Sequence, residues 1–453
     1  MVQRIPLLLL AAFLLQPARA ERPTAFWNVS VVDAAAGTLR PAMVVDVLDG
    51  RITRVARATG ARPANAVVVD GTGKFLIPGL WDSHVHLTKL GASSLPVFIA
   101  NGVTSVRDMG SDLGEVLQWR REIISGIRVG PRIKTPGQIL ESAANVERMK
   151  REGTVEPVDR IRVSVGSPEE ARDAVTRLAD GGADFLKVRT VADQATLRAI
   201  AAAARSRGLR LTGHAVASPD VLADIRIASV EHVLTFPPLD IPFPQRRALF
   251  ERMRTAGLRM GTPTVNLEQS VLVPYETAVA RLKADPLRRY VGRYLASDWT
   301  EQIEEKKGPE AARALEDFAR VLPNTYRDLR ELHAAGVEFL AGSDAAVVFM
   351  YPGFSLHGEL DSLVHHVGLT TAEALRAATI NPARFFGLER ELGAVRPGYR
   401  ADLVLLESNP LNDIRATGRI AGVMRDGRWL DRQDLDALLE AAATEGVLKR
   451  HRN

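Results

Sequence analysis

Residues 76–86 read Leu76-Ile77-Pro78-Gly79-Leu80-Trp81-Asp82-Ser83-His84-Val85-His86. An apolar run closing on two histidines at i and i+2 describes a buried strand with two imidazoles on one side of its C-terminal end. The run 76–82 is the first of eight strand-like segments; the others are 103–108, 131–136, 184–188, 209–213, 228–232, 258–264 and 337–342. Helical patterns lie between several of them. Ser167-Pro168-Glu169-Glu170 supplies an N-cap, a proline in the first turn and a capping-box glutamate. Ala171, Ala174, Val175 and Leu178 then recur at i, i+3, i+4 and i+7, and Gly181-Gly182 ends the helix. Eight strands alternating with helices predict an α/β fold, a (β/α)8 TIM-like barrel with its active site at the C-terminal ends of the strands.

The ends of the chain have a different texture. Residues 24–78 hold short apolar runs separated by Gly37, Asp49-Gly50 and Gly71-Thr72-Gly73, and similar runs return at 402–406 and 420–424. The expectation is a small composite β-sandwich domain from 21–78 and 386–435. The barrel spans 79–385, with a long charged helical insertion at about 265–333 on the active-site face, and 436–453 is a C-terminal tail. The insertion is expected to act as a flap or an oligomer contact, so a homo-oligomer stays open. Residues 141–166 read as a polar connection.

Residues 1–20 read as a signal peptide. Arg4 precedes the apolar run Ile5 to Leu15, and Ala18-Arg19-Ala20 is a small-x-small cleavage pattern. Cleavage after Ala20 predicts an exported protein, periplasmic or secreted. No later segment has the apolar length of a membrane span, so no membrane association is expected after cleavage.

Composition narrows the chemistry. The chain has 453 residues, 46% apolar and 25% charged, which excludes a mostly disordered chain and a multi-span membrane protein. A net charge of +5 is too small at this length to mark a nucleic-acid partner. With no cysteine there are no disulfides, thiolate metal sites or cysteine nucleophiles, and attention falls on the nine histidines.

Five features stand at strand ends. His84 and His86 can grip one metal ion, or can be ordinary core or surface histidines. Lys187 closes the strand Asp184-Phe185-Leu186-Lys187-Val188. Burying it charged is costly, so it either snorkels or becomes a neutral nucleophile able to take up carbon dioxide as a carbamate. His214 and His232 each end an apolar strand and, taken singly, read as core histidines. Asp344, after Phe339-Leu340-Ala341-Gly342-Ser343, is either a metal ligand that can also accept a proton, or an N-cap. Jointly they occupy strands one, four, five, six and eight at the same end, and chance does not favour that.

On these residues the chain resembles the amidohydrolase superfamily, in particular its imidazolonepropionase-like and prolidase-like group. The tail motifs agree: Pro352-Gly353-Phe354-Ser355-Leu356-His357-Gly358-Glu359-Leu360, Thr379-Ile380-Asn381-Pro382-Ala383 and Gly398-Tyr399-Arg400-Ala401-Asp402. The resemblance implies two divalent cations, taken as zinc, bridged by carbamylated Lys187. His84, His86 and Asp344 would hold one, and His214 and His232 the other. It implies a metal-activated hydroxide that attacks an amide carbonyl, with Asp344 as the catalytic proton carrier.

Arg189, two residues beyond Lys187, is a candidate clamp for a substrate carboxylate, and His357 a candidate substrate contact; a surface salt bridge and a helix cap are the respective alternatives. A carboxylate clamp favours dipeptides, of Xaa-Pro or Xaa-Arg type, or N-acyl amino acids. Lactones, cyclic amides and organophosphate esters are the alternative substrates, and a non-catalytic binding protein on a degenerate barrel the alternative class. A serine hydrolase is disfavoured because Gly353-Phe354-Ser355-Leu356-His357 lacks the closing glycine, and Gly71-Thr72-Gly73-Lys74 is too short for a P-loop.

Overall fold

The structure is a computed structural model describing residues 23–154, 157–232 and 243–451. The expected leader, residues 1–20, lies outside the described residues.

Eight parallel strands form the barrel: β1 (Leu80–Val85), β2 (Val103–Asp108), β3 (Arg132–Lys134), β4 (Leu186–Val188), β5 (Leu211–Gly213), β6 (Ser229–Glu231), β7 (Arg259–Gly261) and β8 (Phe339–Leu340). Strands β1 to β3 pair in one parallel sheet and β4 to β8 in another. Backbone bonds join the two: Asp184 N donates to Thr135 O at 2.8 Å, and Ser83 N donates to Ala341 O at 2.8 Å. Every residue of β1 and β2 is buried, as expected for parallel strands covered on both faces. The helix Pro168–Asp180 begins where the sequence placed it. Ser167 Oγ accepts from Glu170 N, and Ala171, Ala174, Val175 and Leu178 are its buried stripe.

The run expected as one strand at 76–82 is two. Phe75–Pro78 pairs antiparallel with Leu403–Leu406 in the sheet at the chain ends, and Leu80–Val85 enters the barrel. Gly79 makes the transfer. A side chain there would sit 2.1 Å from Thr104 Oγ1, and Gly79 N donates to Asp402 O at 2.7 Å. The sheet at the ends is mixed, with strands in the order Arg428–Asp431, Ile420–Arg425, Leu403–Leu406, Phe75–Pro78, Thr24–Asp33, Thr38–Leu48 and Arg51–Arg57. Val67–Asp70 pairs with Thr24–Asp33. Phe26, Val45, Leu76, Leu405 and Met424 belong to its own apolar core.

Residues 141–166 are more than a connection. Ile139–Ser142 and Arg162–Val165 pair in parallel around the helix Ala143–Glu152, because Val146, Met149 and Val158 bury one another. The last stretch of the chain is a helix, Arg432–His451, with Leu435 buried. Between β7 and β8 lie the helices Tyr275–Ala284, Arg293–Glu304 and Pro309–Ala334. Among the described residues no helix is long and apolar enough to cross a membrane.

Candidate metal centre

The barrel brings His84, His86, Lys187, Arg189, His214, His232 and Asp344 to the wall of one cavity of about 360 Å³. His84 is buried near the end of β1. Its close approach to the eighth strand depends on Gly342, where a Cβ would lie 2.6 Å from the Cβ of His84. His232 directly follows β6 and Asp344 lies four residues past the end of the eighth strand, with φ of 61° and 58°, a left-handed conformation that non-glycine residues seldom adopt. Such strain gathers at functional sites, and here it turns two side chains inward from strand ends.

Donor atoms of His84, His232 and Asp344 all lie within 4.8 Å of one another. Asp344 Oδ1 is 3.5 Å from His84 Nε2 and 3.4 Å from His86 Nε2, and its Oδ2 is 3.7 Å from His232 Nε2. His86 Nδ1 lies 3.2 Å from Gly110 O, a carbonyl that accepts from it, and its Nε2 faces Asp344. The His214 and His232 rings are 5.2 Å apart. Lys187 Nζ lies 3.5 Å from His84 Nε2 and is 1% exposed.

Electrostatics suit ligation. Burial, followed by the Lys187 charge, drives His84 and His214 well below the usual imidazole range, and burial also lowers His232. The neutral imidazole is the metal-binding form. Burial alone would raise Asp344, but His84, His232 and His86 hold its carboxyl well below the usual range. Burial lowers the Lys187 ammonium to about 8, so the free amine is accessible near neutral pH. Two imidazoles and a carboxylate at this spacing, with no thiolate in the chain, fit a divalent cation such as zinc.

The amidohydrolase family matches residues 75–430. This chain belongs to the amidohydrolase family. A structure assigned to the prolidases, from Bifidobacterium longum, is 26% identical, covers 94% of this chain and 100% of that one, and superposes with a TM-score of 0.67. The imidazolonepropionase of Salmonella paratyphi A is 22% identical over 395 residues, 82% of this chain and 88% of that protein. The ochratoxinase of Aspergillus niger is 42% identical over 82 residues, which is 18% of this chain and 16% of that protein. The chain thus spans less than a fifth of the length of the first curated relatives it matches. Family membership accounts for the prolidase-like and imidazolonepropionase-like motifs read above.

Within this amidohydrolase barrel the two substrate candidates part company. Arg189 lines the cavity on the strand-four side, with Nη1 3.3 Å from Glu141 Oε2. His357 does not line it. Its Nδ1 is 3.1 Å from Thr417 Oγ1 and its Nε2 3.2 Å from Asn101 O, so it ties the helix Phe354–Ser362 to two neighbouring segments. The expectation of a substrate contact there is corrected: both ring nitrogens have structural partners.

Three residues around the centre escaped the sequence reading. Asn266 Nδ2 donates to Asp344 Oδ2 at 2.9 Å. Glu231 Oε2 is 3.2 Å from His84 Nδ1, behind the ligating face of the ring. Arg107 donates to Glu231 Oε2 at 2.7 Å, to Ser83 O at 2.6 Å and to Ser229 Oγ at 2.9 Å. A charged residue near the end of each buried strand was the signal available for the last two: Val-Arg-Asp in β2 and Val-Glu-His at β6. Asn266, inside the insertion, carried none.

Proposed function

We propose that this chain is a binuclear metal-dependent hydrolase that cleaves a carbon–nitrogen amide bond in a small carboxylate-bearing substrate, a dipeptide or an N-acyl amino acid. His84, His86 and Asp344 would hold one cation, His214 and His232 the other, with a carbamate on Lys187 between them. The observation that carries the reading is the convergence of His84, His232 and Asp344 within 4.8 Å around a buried lysine.

When bound, the cations supply an activated water and polarise the scissile carbonyl. The chain's own residues do the rest. The Asp344 carboxylate takes a proton as the carbonyl is attacked and returns it to the leaving amine. Asn266 Nδ2, donating to Asp344 Oδ2, holds the carboxylate in orientation for that transfer. Arg189 has a side chain 35% exposed at the cavity wall and reaches the substrate carboxylate from the strand-four side. Export before action is part of the proposal, on the leader-like residues 1–20.

Elemental analysis of purified mature protein tests the centre. About two zinc ions per chain, falling sharply in Lys187→Ala, is the expected result, together with turnover of dipeptides or N-acyl amino acids. One ion, indifferent to the mutation, means a mononuclear site. No metal after reconstitution with zinc and bicarbonate would refute the proposal.

A further inference from the structure

The metal cavity has an annex. A second cavity of about 650 Å³ lies between the helices of the insertion and shares Gln302, Glu305 and Val347 with the metal cavity. Its wall includes Val271, Val273, Leu315, Phe318 and Val348. The helix Pro309–Ala334 supplies Leu315 and Phe318 from its first half, yet its buried residues, Thr325, Leu329 and Leu332, all lie in its second half. Leu315 and Phe318 are only half-buried, because the chamber stands where packing partners would.

The annex and the carboxylate clamp are on opposite sides. Val347 follows the eighth strand and Arg189 follows the fourth, which face each other across an eight-stranded barrel. The charge around the cavity agrees with this direction. Around the annex and its junction with the metal cavity, Glu152, Glu276, Asp298, Glu301 and Glu305 outnumber Lys89, Arg148 and Lys306; on the strand-four side, Arg162 and Arg189 outnumber Glu141. Glu305 is pushed above its usual range by burial and then by Glu301 and Asp298, so this rim repels a second carboxylate. A substrate anchored by its carboxylate at Arg189, with its amide over Asp344, therefore points its other end into the annex.

We propose that the annex is the specificity pocket for the acyl side of the substrate and selects a long or bulky apolar group there. The favoured substrates are then N-acyl amino acids with an extended apolar acyl chain. The inference rests on the amide-hydrolase reading above and names its substrate class. The occupant is argued from the three residues that the annex shares with the metal cavity, from its largely apolar wall, and from the excess of acidic over basic side chains around their junction.

The test compares N-octanoyl-L-alanine with N-acetyl-L-alanine on the zinc-loaded protein. Each buried methylene adds to binding, so kcat/KM should favour the octanoyl compound by about 10-fold or more. Leu315→Trp and Ala311→Phe each fill the annex and should bring that ratio down toward one. A ratio near one in the wild type, or a high ratio that both variants leave unchanged, overturns the proposal. Calorimetry with the uncleavable ketomethylene analogues of the two compounds separates this result from the fate of the hydrolase reading. If no amide is cleaved but the long analogue binds about 10-fold tighter and both variants abolish the difference, the pocket stands and the amide reading falls. If the variants instead change the molecular mass seen by light scattering and leave ligand preference alone, a second copy of the chain covers the annex and the proposal is overturned.

Discussion

Arg107 and Glu231 form an ion pair inside the barrel wall, each about 1% exposed or less. Gly261 makes room for it, since a Cβ there would lie 1.8 Å from Glu231 Oε2. At the 2.7 Å contact and an effective dielectric of about 20, two unit charges attract by roughly 6 kcal/mol, an upper bound because both charges are spread over several atoms. Desolvating two ions costs several kcal/mol each, so the pair as a whole adds little net stability. Removing one partner is different. Arg107→Met takes the guanidinium from a buried carboxylate that also has Ser229 Oγ, the His84 ring and the Lys187 charge near it, and should cost about 3–5 kcal/mol. In a Glu231→Gln background the buried guanidinium has already lost its carboxylate, so the same change removes a stranded charge and should cost no more than about 1–2 kcal/mol, the lost packing and hydrogen bonds being offset by that relief. The assay is urea unfolding of the four proteins of this cycle, each with zinc and with a chelator, because Glu231 backs a proposed ligand and metal binding shifts apparent stability. A coupling energy below about 0.5 kcal/mol in the chelated series would refute the reasoning.

His357 is half-buried and neutral, its pKa depressed by desolvation to about 4. Its folded value lies below its unfolded one, so its contribution is complete above about pH 6.5 and is lost as pH falls toward 4. The loss is at most about 3 kcal/mol, and His357→Gln should flatten that acid limb in thermal melts run across the window. Glu359 runs the opposite way. Burial raises its carboxyl to about 7, so stability should decline as pH climbs from about 4.5 to 7, and Glu359→Gln should be relatively more stabilising at pH 8 than at pH 5. Gly342→Ala should push His84 out of place and lower zinc content measured by elemental analysis, whereas a full complement of metal would show that the backbone there can yield. Asn266→Ala should lower kcat by about 10-fold or more with little change in KM, because it removes a bond to the proton carrier; a change confined to KM would mean that Asn266 contacts substrate instead.

The predictions draw on two kinds of information. The barrel strands were legible because short apolar runs alternated with helical patterns and turn residues marked their ends, although a fully buried strand such as Val103–Asp108 also carries Thr104, Ser105, Arg107 and Asp108. The candidate ligands were legible for a related reason: a histidine or lysine that closes such a run, as His214 and Lys187 do, needs a partner to offset its burial. The chain's own residues thus determined the strand order, the polar groups at one end of the barrel and the family they resemble. They did not determine which polar groups meet. His357 was a candidate substrate contact, yet the fold engages it with Asn101 and Thr417, while Asn266, with no local signal, arrives on Asp344. The split at Gly79, the Arg107–Glu231 pair and the annex beside the metal cavity are likewise decisions of tertiary structure. Periodicity and composition act over a few residues, whereas these contacts join positions from 60 to more than 300 residues apart, and only the packed barrel sets their distances.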